Sequence, residues 1–382
     1  MIDTSRYQVI AIGDVMLRSR SGVLKPFGDD VESFFRHAPF VLANLETVVT
    51  DGGAALEKSV VLRVPREQAH YLHETGIDVV NLANNHTLDF GTVGLESTIS
   101  AIESAGVGLI GVIKDGEQQP YILSTNTCRI GVLGYSIGVT LNAAIGVAPL
   151  ELPRILDDVA ALKAQDIDRV IVNLHWGEEY VAYPSPDQQR LARSLIDHGV
   201  DVVIGHHPHV VQGIERYKAG VIFYSLGNFN FQNHTNVDRQ FPGTRWGLIA
   251  LLRFQHALPV EYECAAVCID NEYRPSFPSM ECGSAFLAYV KCISCRLESG
   301  ITQTLWLSEA SLPRFRNNLT SFFLRIRRYG ITHLYQMVRW LISRSNYVYY
   351  VGLILRLITP FIYRDSFPRC LIPKADDADS SL

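Results

Sequence analysis

The chain has 382 residues, of which 47% are hydrophobic and 19% charged; this supplies a sizeable core and excludes wholesale disorder. The net charge of −5 is unevenly spread: residues 311–382 hold 11 Lys and Arg against 4 Asp and Glu, leaving 23 against 35 in the rest. An acidic main body without helix-turn-helix or zinc-finger spacing excludes a nucleic-acid-binding module, and the lack of a GxxxxGKS/T loop excludes an ATP-using P-loop ligase.

The opening sixteen residues, MIDTSRYQVIAIGDVM, lack a basic segment followed by a long apolar one, so no secretion signal is expected. Residues 7–12 read as a strand that stops at Gly13-Asp14, and 40–43 as another that ends in Asn44-Leu45-Glu46. Residues 65–75 read as a helix with proline at its start and Gly76 at its stop. It leads into a strand at 78–82 and then Ala83-Asn84-Asn85-His86. Residues 91–105 have helical spacing, closed by Gly106, and strand-like segments follow at 107–112, 121–125 and 129–135. Residues 153–164 form an amphipathic helix. The strand 170–174 ends in His175-Trp176-Gly177, and a helix at 185–198 precedes Val202-Val203-Ile204-Gly205. That run delivers His206, His207 and His209 within four residues. The segment 221–226 ends in Gly227-Asn228. Residues 246–254 and 260–269 are strand-only, which suggests a second sheet. Strands alternating with helices imply parallel pairing.

Glycine becomes sparse from Ser284 onward and the pattern turns helical, with Leu319, Phe322, Phe323 and Ile326 on one face and Leu334, Val338, Leu341 and Ile342 on another. Residues 345–363 carry one charge, Arg356, and contain Pro360. A central arginine and a late proline suit an interfacial stretch better than a membrane span, which needs about 20 apolar residues. Three readings stay open for this basic extension: packing on the main domain, contact with a membrane surface, or an anionic partner. The expected organisation is a main domain at 1–275, a basic amphipathic helical extension at 284–374 and a disordered tail at 375–382. Seven cysteines, an odd number, do not make a disulfide framework. Cys292 and Cys295 form a lone CxxC downstream of Cys264, Cys268 and Cys282; free thiols in a reduced compartment are favoured over a zinc or redox role. The expected location is cytoplasmic, peripheral at the inner face of the membrane.

Polar groups recur at five inferred strand ends: Asp14, Glu46, Asn85 with His86, His175, and His206–His209. In open α/β sheets ligands collect at the carboxyl ends of strands. Carboxylate, amide and imidazole are the donors that zinc, manganese or iron(II) accept, and no thiolate is among them. This is the donor set of a catalytic metal site, for one or two divalent ions.

The strings GDVML, ANLETVVT, NLANNHTLDFG, NLHWGEEY, VDVVIGHHPHVVQGIE and FYSLGNFNF lie in order over residues 9–231. Together they resemble the poly-γ-glutamate capsule-biosynthesis (CapA-like) family of the calcineurin-like metallophosphoesterase superfamily. The resemblance implies an α/β fold, an αββα sandwich of two mixed sheets flanked by helices, with the helical extension added. It also implies Asp14, Glu46, Asn85, His175, His207 and His209 as metal ligands, with a register using His206 as the alternative. His86 would assist the leaving group, and Glu179 would be a general base, a substrate contact or a solvated carboxylate. His206, Trp176 and Asn228 would contact substrate. Three positions depart from the superfamily pattern: Met16 stands in place of a ligand histidine, Glu46 in place of a bridging aspartate, and Thr87 in place of an acid beside the histidine. The implied function is a metal-dependent hydrolase or transferase acting on a phosphoester or an amide-linked acidic polymer, or else a non-catalytic subunit of a polymer synthesis or export complex.

Overall fold

The computed structural model describes residues 3–17, 26–36, 38–138, 144–232, 235–255, 258–330 and 343–358, with Tyr335, Val338 and Arg339. Two mixed sheets make up the main body. In the first, Val9–Val15, Val41–Leu45, Val79–Asn81 and Gly108–Ile110 run parallel in that order. In the second, Arg129–Ser136, Arg169–His175, Val202–His206 and Gly220–Phe223 are parallel, with Tyr121–Ser124 and Ile214–Tyr217 antiparallel at the edges.

Side chains alternate across a strand, and the first strand uses both faces. Val9 and Ala11 pack into a core shared with Ile130, Val132, Val172 and Val203 of the second sheet. Ile10 and Ile12 pack the opposite way, into a core with Val31, Leu72, Leu95 and Ile102 from the helices over the first sheet. On the outer side of the second sheet, Leu152–Lys163 and Pro186–Asp197 bury Ile155, Val159, Leu162 and Leu195. The second of these helices starts with a capping box in which Ser185 and Gln188 satisfy each other's backbone N–H. The result is the expected α/β arrangement of two mixed sheets between helical layers.

Three local expectations change. The strands Trp246–Arg253 and Glu261–Ile269 build no sheet of their own; they extend the first sheet, antiparallel to Val9–Val15 and then to each other. All seven residues of Val9–Val15 are buried, and the antiparallel neighbour pairs backbone groups that would otherwise be orphaned there. The strand expected at 107–112 breaks at Gly111, which has φ +85°. Gly108–Ile110 stays in the first sheet, whereas Val112–Lys114 joins a separate three-stranded sheet. The helix expected at 65–75 begins as a 3-10 turn, Arg66–Ala69, and is α-helical only over His70–Glu74.

The first helix after the sheets, Met280–Glu298, buries Phe286, Val290, Ile293 and Leu297 in the main core. Phe286 stacks on Trp246 with ring centroids 4.4 Å apart. The next, Gln303–Tyr329, is capped by the Thr302 hydroxyl, buries Trp306 and Ala310, and meets Arg344–Ile358 through Trp306 and Tyr349. This is the packing alternative for the extension, although Phe323, Tyr347 and Ile354 remain exposed. Among the described residues no helix is long and apolar enough to cross a membrane. Cys295 is a free exposed thiol, so the CxxC is not closed on itself, and Cys264 is free as well; Cys292 is disulfide-bonded, against the expectation of free thiols. Leu334, Leu341, Ile342, the end of the apolar stretch at 359–363 and the tail at 375–382 lie outside the described residues.

Candidate metal centre

Strand register places the polar groups in two facing rows. Across the first sheet, Asn81 pairs with Asn44, Asn44 with Asp14, and Asp14 with Asn228. Across the second, Ser136 pairs with His175 and His175 with His206. The rows meet at Asp14, whose Oδ1 lies 3.0 Å from His206 Nδ1 and whose Oδ2 lies 3.4 Å from His209 Nδ1. Close approach of backbones makes this possible: a Cβ on Gly13 would lie 2.0 Å from the Gly227 carbonyl oxygen, and one on Gly205 would lie 1.9 Å from that of Tyr224. Glycine at both positions is therefore a steric requirement.

Two carboxylates, Asp14 and Glu46, are buried side by side. The Asn44 amide donates to Asp14 Oδ1 over 2.9 Å and reaches Glu46 Oε1 at 3.3 Å; its own oxygen accepts from Asn81 over 3.0 Å. The two acids differ electrostatically. Burial opposes ionisation of Asp14, but hydrogen bonds and charge from His206 and His209 hold it well below the usual aspartate value. Glu46 is pushed well above the ordinary glutamate value, by burial first and by the Asp14 charge second. His209 is the counter-charge: burial lowers it, but Glu46 and Asp14 raise it to about 10. Its Nδ1 also lies 2.9 Å from Asn228 Oδ1.

The other histidines divide by environment. His175 is fully buried; its Nε2 lies 3.0 Å from Asn85 Oδ1 and its Nδ1 is 3.4 Å from the Asn44 amide. Burial, with His207 next to it, depresses its pKa well below normal. His86 Nδ1 lies 2.7 Å from Asp89 Oδ2, and Asp89 also takes Lys58 at 2.5 Å and the Leu62 N–H at 2.9 Å. Burial lowers the His86 pKa despite Asp89. His207 drops to about 4, chiefly by burial, and its Nδ1 is buried without a hydrogen-bond partner. Left-handed backbone concentrates here, with φ of 96° at His207, 56° at His209 and 64° at Tyr180. Such residues cost of order 1–3 kcal/mol each and persist where surrounding contacts over-determine them.

Among the described residues, two sets of three side chains bring one donor atom each within 4.8 Å of one another: Asp14, Glu46 and His209, and Glu179, His207 and His209. Among the expected ligands, Asn85 and His175 are bonded to each other. His206, expected to contact substrate, sits at the strand end against Asp14, 1% exposed. Asn228, also expected to contact substrate, is wholly buried, with its Oδ1 2.9 Å from His209 Nδ1 and its Nδ2 donating to the Thr244 carbonyl. The ring of Trp176, expected to contact substrate, lies in the core, 2% exposed, with Nε1 donating to the Tyr224 carbonyl over 3.0 Å. Met16 packs with Phe231 and Ile269 and carries a soft thioether where the superfamily pattern has an imidazole. Thr87 turns its hydroxyl back to Leu82 and Asn84, and the acid that serves His86 is Asp89, three residues downstream. Sequence reading passed over Asp89 and Asn44. The His-x-x-Asp spacing was a signal for the first; an asparagine inside a buried strand was a signal for the second.

The chain matches the family described as bacterial capsule synthesis protein PGA_cap over residues 8–233. It is 31% identical over 249 residues to "Capsule biosynthesis protein CapA" of Bacillus anthracis, covering 60% of this chain and 61% of that one. It is 32% identical over 237 residues to "PGA biosynthesis protein CapA" of Bacillus subtilis, covering 58% and 62%. A third relative, "Probable polyglutamine synthesis accessory protein" of Mycobacterium tuberculosis, is 34% identical over 205 residues, covering 49% and 54%. The chain thus spans about three-fifths of the length of the first two relatives. Among solved structures, the calcineurin-like phosphoesterase YfkN of Bacillus subtilis aligns with a TM-score of 0.39 at 14% identity, covering 67% of this chain and 89% of that one.

Proposed function

This chain belongs to the PGA_cap family of bacterial capsule synthesis proteins, and we propose that within it the chain is a metal-dependent hydrolase or transferase acting on a phosphoester or an amide-linked acidic polymer. The observation that carries this reading is Glu46 Oε2: a fully buried carboxylate oxygen with no hydrogen-bond partner, 4.0 Å from His209 Nε2 and beside a second buried carboxylate. Buried like charges with an unsatisfied acceptor are costly unless a cation compensates them. Asp14, Glu46 and His209 have the oxygen and nitrogen donors that manganese, zinc or iron(II) accept. A divalent ion there would supply Lewis-acid polarisation of a phosphoryl or carbonyl oxygen.

The chain's own groups supply the rest. Asn44, held by Asn81, fixes both carboxylates, and Asn228 fixes the His209 ring. His86, oriented by Asp89, can take a proton at Nε2 and return it to a leaving oxygen or nitrogen. The test is metal analysis of the purified chain against Asp14→Asn and His209→Ala, with a phosphodiester and poly-γ-glutamate as trial substrates. Stoichiometric metal in the wild type and its loss in both variants supports the reading; a metal-free wild type after manganese loading defeats it.

A second reading, a non-catalytic subunit that keeps the fold, is favoured by Met16, which fills with apolar packing a place where a further ligand is expected. Polymer-producing cells carrying His86→Ala decide between the two: full polymer yield favours the subunit, and lost yield with normal protein levels favours the enzyme.

A further inference from the structure

Tyr180 lies in the segment that follows the strand Arg169–His175, and its backbone is held where few aromatic residues sit. Its φ of 64° is left-handed, a conformation that surrounding contacts must enforce. Those contacts come from three directions. The Tyr180 N–H donates to the Pro208 carbonyl of the histidine turn over 2.8 Å. On the preceding residue, Asn317 Nδ2 of the helix Gln303–Tyr329 donates to Glu179 Oε2. On the following one, Gln212 Nε2 donates to the Val181 carbonyl over 2.8 Å. The ring is clamped as well: it stacks on Phe241 with centroids 4.3 Å apart and planes 12° from parallel. Its centroid lies 6.1 Å from that of His209. The hydroxyl, by contrast, makes no hydrogen bond with the protein, although the residue is half-buried. Burial, and then the charges of Glu179, Glu46 and Asp238, hold the phenol well above its ordinary pKa. It therefore keeps its proton as a donor, and it lies near enough to Glu46 and Glu179 to feel both charges. A tyrosine hydroxyl at such a place ordinarily finds a partner. Phenylalanine would stack on Phe241 equally well, so packing does not account for the hydroxyl.

We propose that the Tyr180 hydroxyl is a substrate-binding donor of the site: it hydrogen-bonds the phosphoryl or amide carbonyl oxygen of the substrate and strengthens that bond as negative charge gathers on the oxygen. Tyr180 is then a catalytic residue. A donor of this kind is effective when it is fixed before the substrate arrives, and the left-handed backbone and the stack on Phe241 fix this one. Phe241 and Asn317, which hold the ring and its neighbour, both lie beyond residues 8–233, the extent of the family match.

This inference rests on the metal-dependent reading above, and the experiment separates the two. The full chain and its Tyr180→Phe variant are loaded with manganese and titrated by calorimetry with inorganic phosphate and, separately, with poly-γ-glutamate. Tyr180→Phe should take up manganese as the wild type does and unfold at the same temperature, because the hydroxyl has no partner in the protein. Its affinity for at least one of the two probes should fall about tenfold or more; a loss for phosphate marks phosphoryl recognition, and a loss for the polymer alone marks carbonyl recognition. For any substrate that is turned over, kcat should fall about 10²-fold, with KM changed less. A Tyr180→Phe protein with wild-type affinity for both probes overturns the proposal, whatever its stability. A manganese-loaded wild type that binds neither probe overturns it while leaving the metal site standing. A wild type that takes up no manganese overturns the reading on which it rests.

Discussion

Asn44 and Asp14 face each other at register-paired positions of adjacent parallel strands, and the Asn44 amide is within hydrogen-bond reach of both buried carboxylates, Asp14 at 2.9 Å and Glu46 at 3.3 Å. Its removal leaves two acids in a dry site with one donor fewer. Hydrogen bonds to charged groups contribute about 1.5–3 kcal/mol, so Asn44→Ala should lower the stability of the metal-free chain by about 2 kcal/mol. Asn44→Asp adds a third carboxylate and should cost more. Urea unfolding of both variants in a chelating buffer checks this. An Asn44→Asp protein as stable as wild type would refute the electrostatic account.

The His86–Asp89 pair gives a prediction that separates orientation from mere presence. Asp89 raises the His86 pKa against a larger lowering by burial. Asp89→Asn removes the charge but keeps the shape, so the His86 titration should move further down in pH, as followed by NMR of the ring. If the chain is an enzyme, His86→Ala should lower kcat by about 10²–10³-fold, and Asp89→Asn should lower it by less. A His86 titration that stays in place in Asp89→Asn would show that the short contact does not couple the two groups.

Which parts of this site could be read from sequence follows from how each residue reaches it. Asp14, Glu46, His175 and His206 lie at or directly after the ends of apolar strands, and strand direction alone places such ends together. Asn85 and His86 follow a strand by only a few residues, so they too were legible. Asn44 was passed over because the sequence reading placed it beyond the strand at 40–43, whereas it lies inside the buried strand Val41–Leu45. Asp89 was passed over because Thr87 occupied the expected acid position, although the local turn from His86, closed by the Asp89 N–H to the His86 carbonyl over 2.8 Å, brings its carboxylate back to the ring. Asn317 reaches Glu179 across 138 residues of sequence, a contact set by how a distant helix docks. Trp176 lies in the core while its neighbour His175 faces the site, as successive side chains of an extended segment point to opposite sides. The closing strands were recognised as strands, but their sheet was not, because an edge to be filled is a property of the folded sheet.

Metal binding should be linked to protons through His209. Its ordinary pKa of 6.5 rises to about 10 in the folded chain: burial acts against the charged ring, and Glu46 and Asp14 outweigh it. A folded pKa above the unfolded one means that this group's stabilisation of the metal-free chain is full below about pH 6.5 and is lost as pH rises through about 10. A cation needs the deprotonated ring, so binding near neutrality expels at least one proton and tightens as pH rises. Calorimetric titrations at pH 7.5 in buffers of different ionisation enthalpy should therefore give different apparent heats. Identical heats in all buffers would contradict the linkage.

The interior role of Trp176 separates stability from substrate binding. Its indole donates to the Tyr224 carbonyl, and both groups flank Gly205, on which a Cβ would lie 1.9 Å from that carbonyl oxygen and 2.6 Å from the indole nitrogen. Trp176→Phe keeps most of the apolar volume but leaves a buried carbonyl without its donor. It should cost about 1–3 kcal/mol while leaving KM for any accepted substrate unchanged. Gly205→Ala must push two strand backbones apart and should cost about 1–3 kcal/mol or more. It should also weaken metal binding, because Gly205 immediately precedes the histidines whose placement depends on that close approach. Thermal unfolding and manganese titration of the two variants test the pair together. A Trp176→Phe protein of wild-type stability with a raised KM would return the indole to the substrate side of the site.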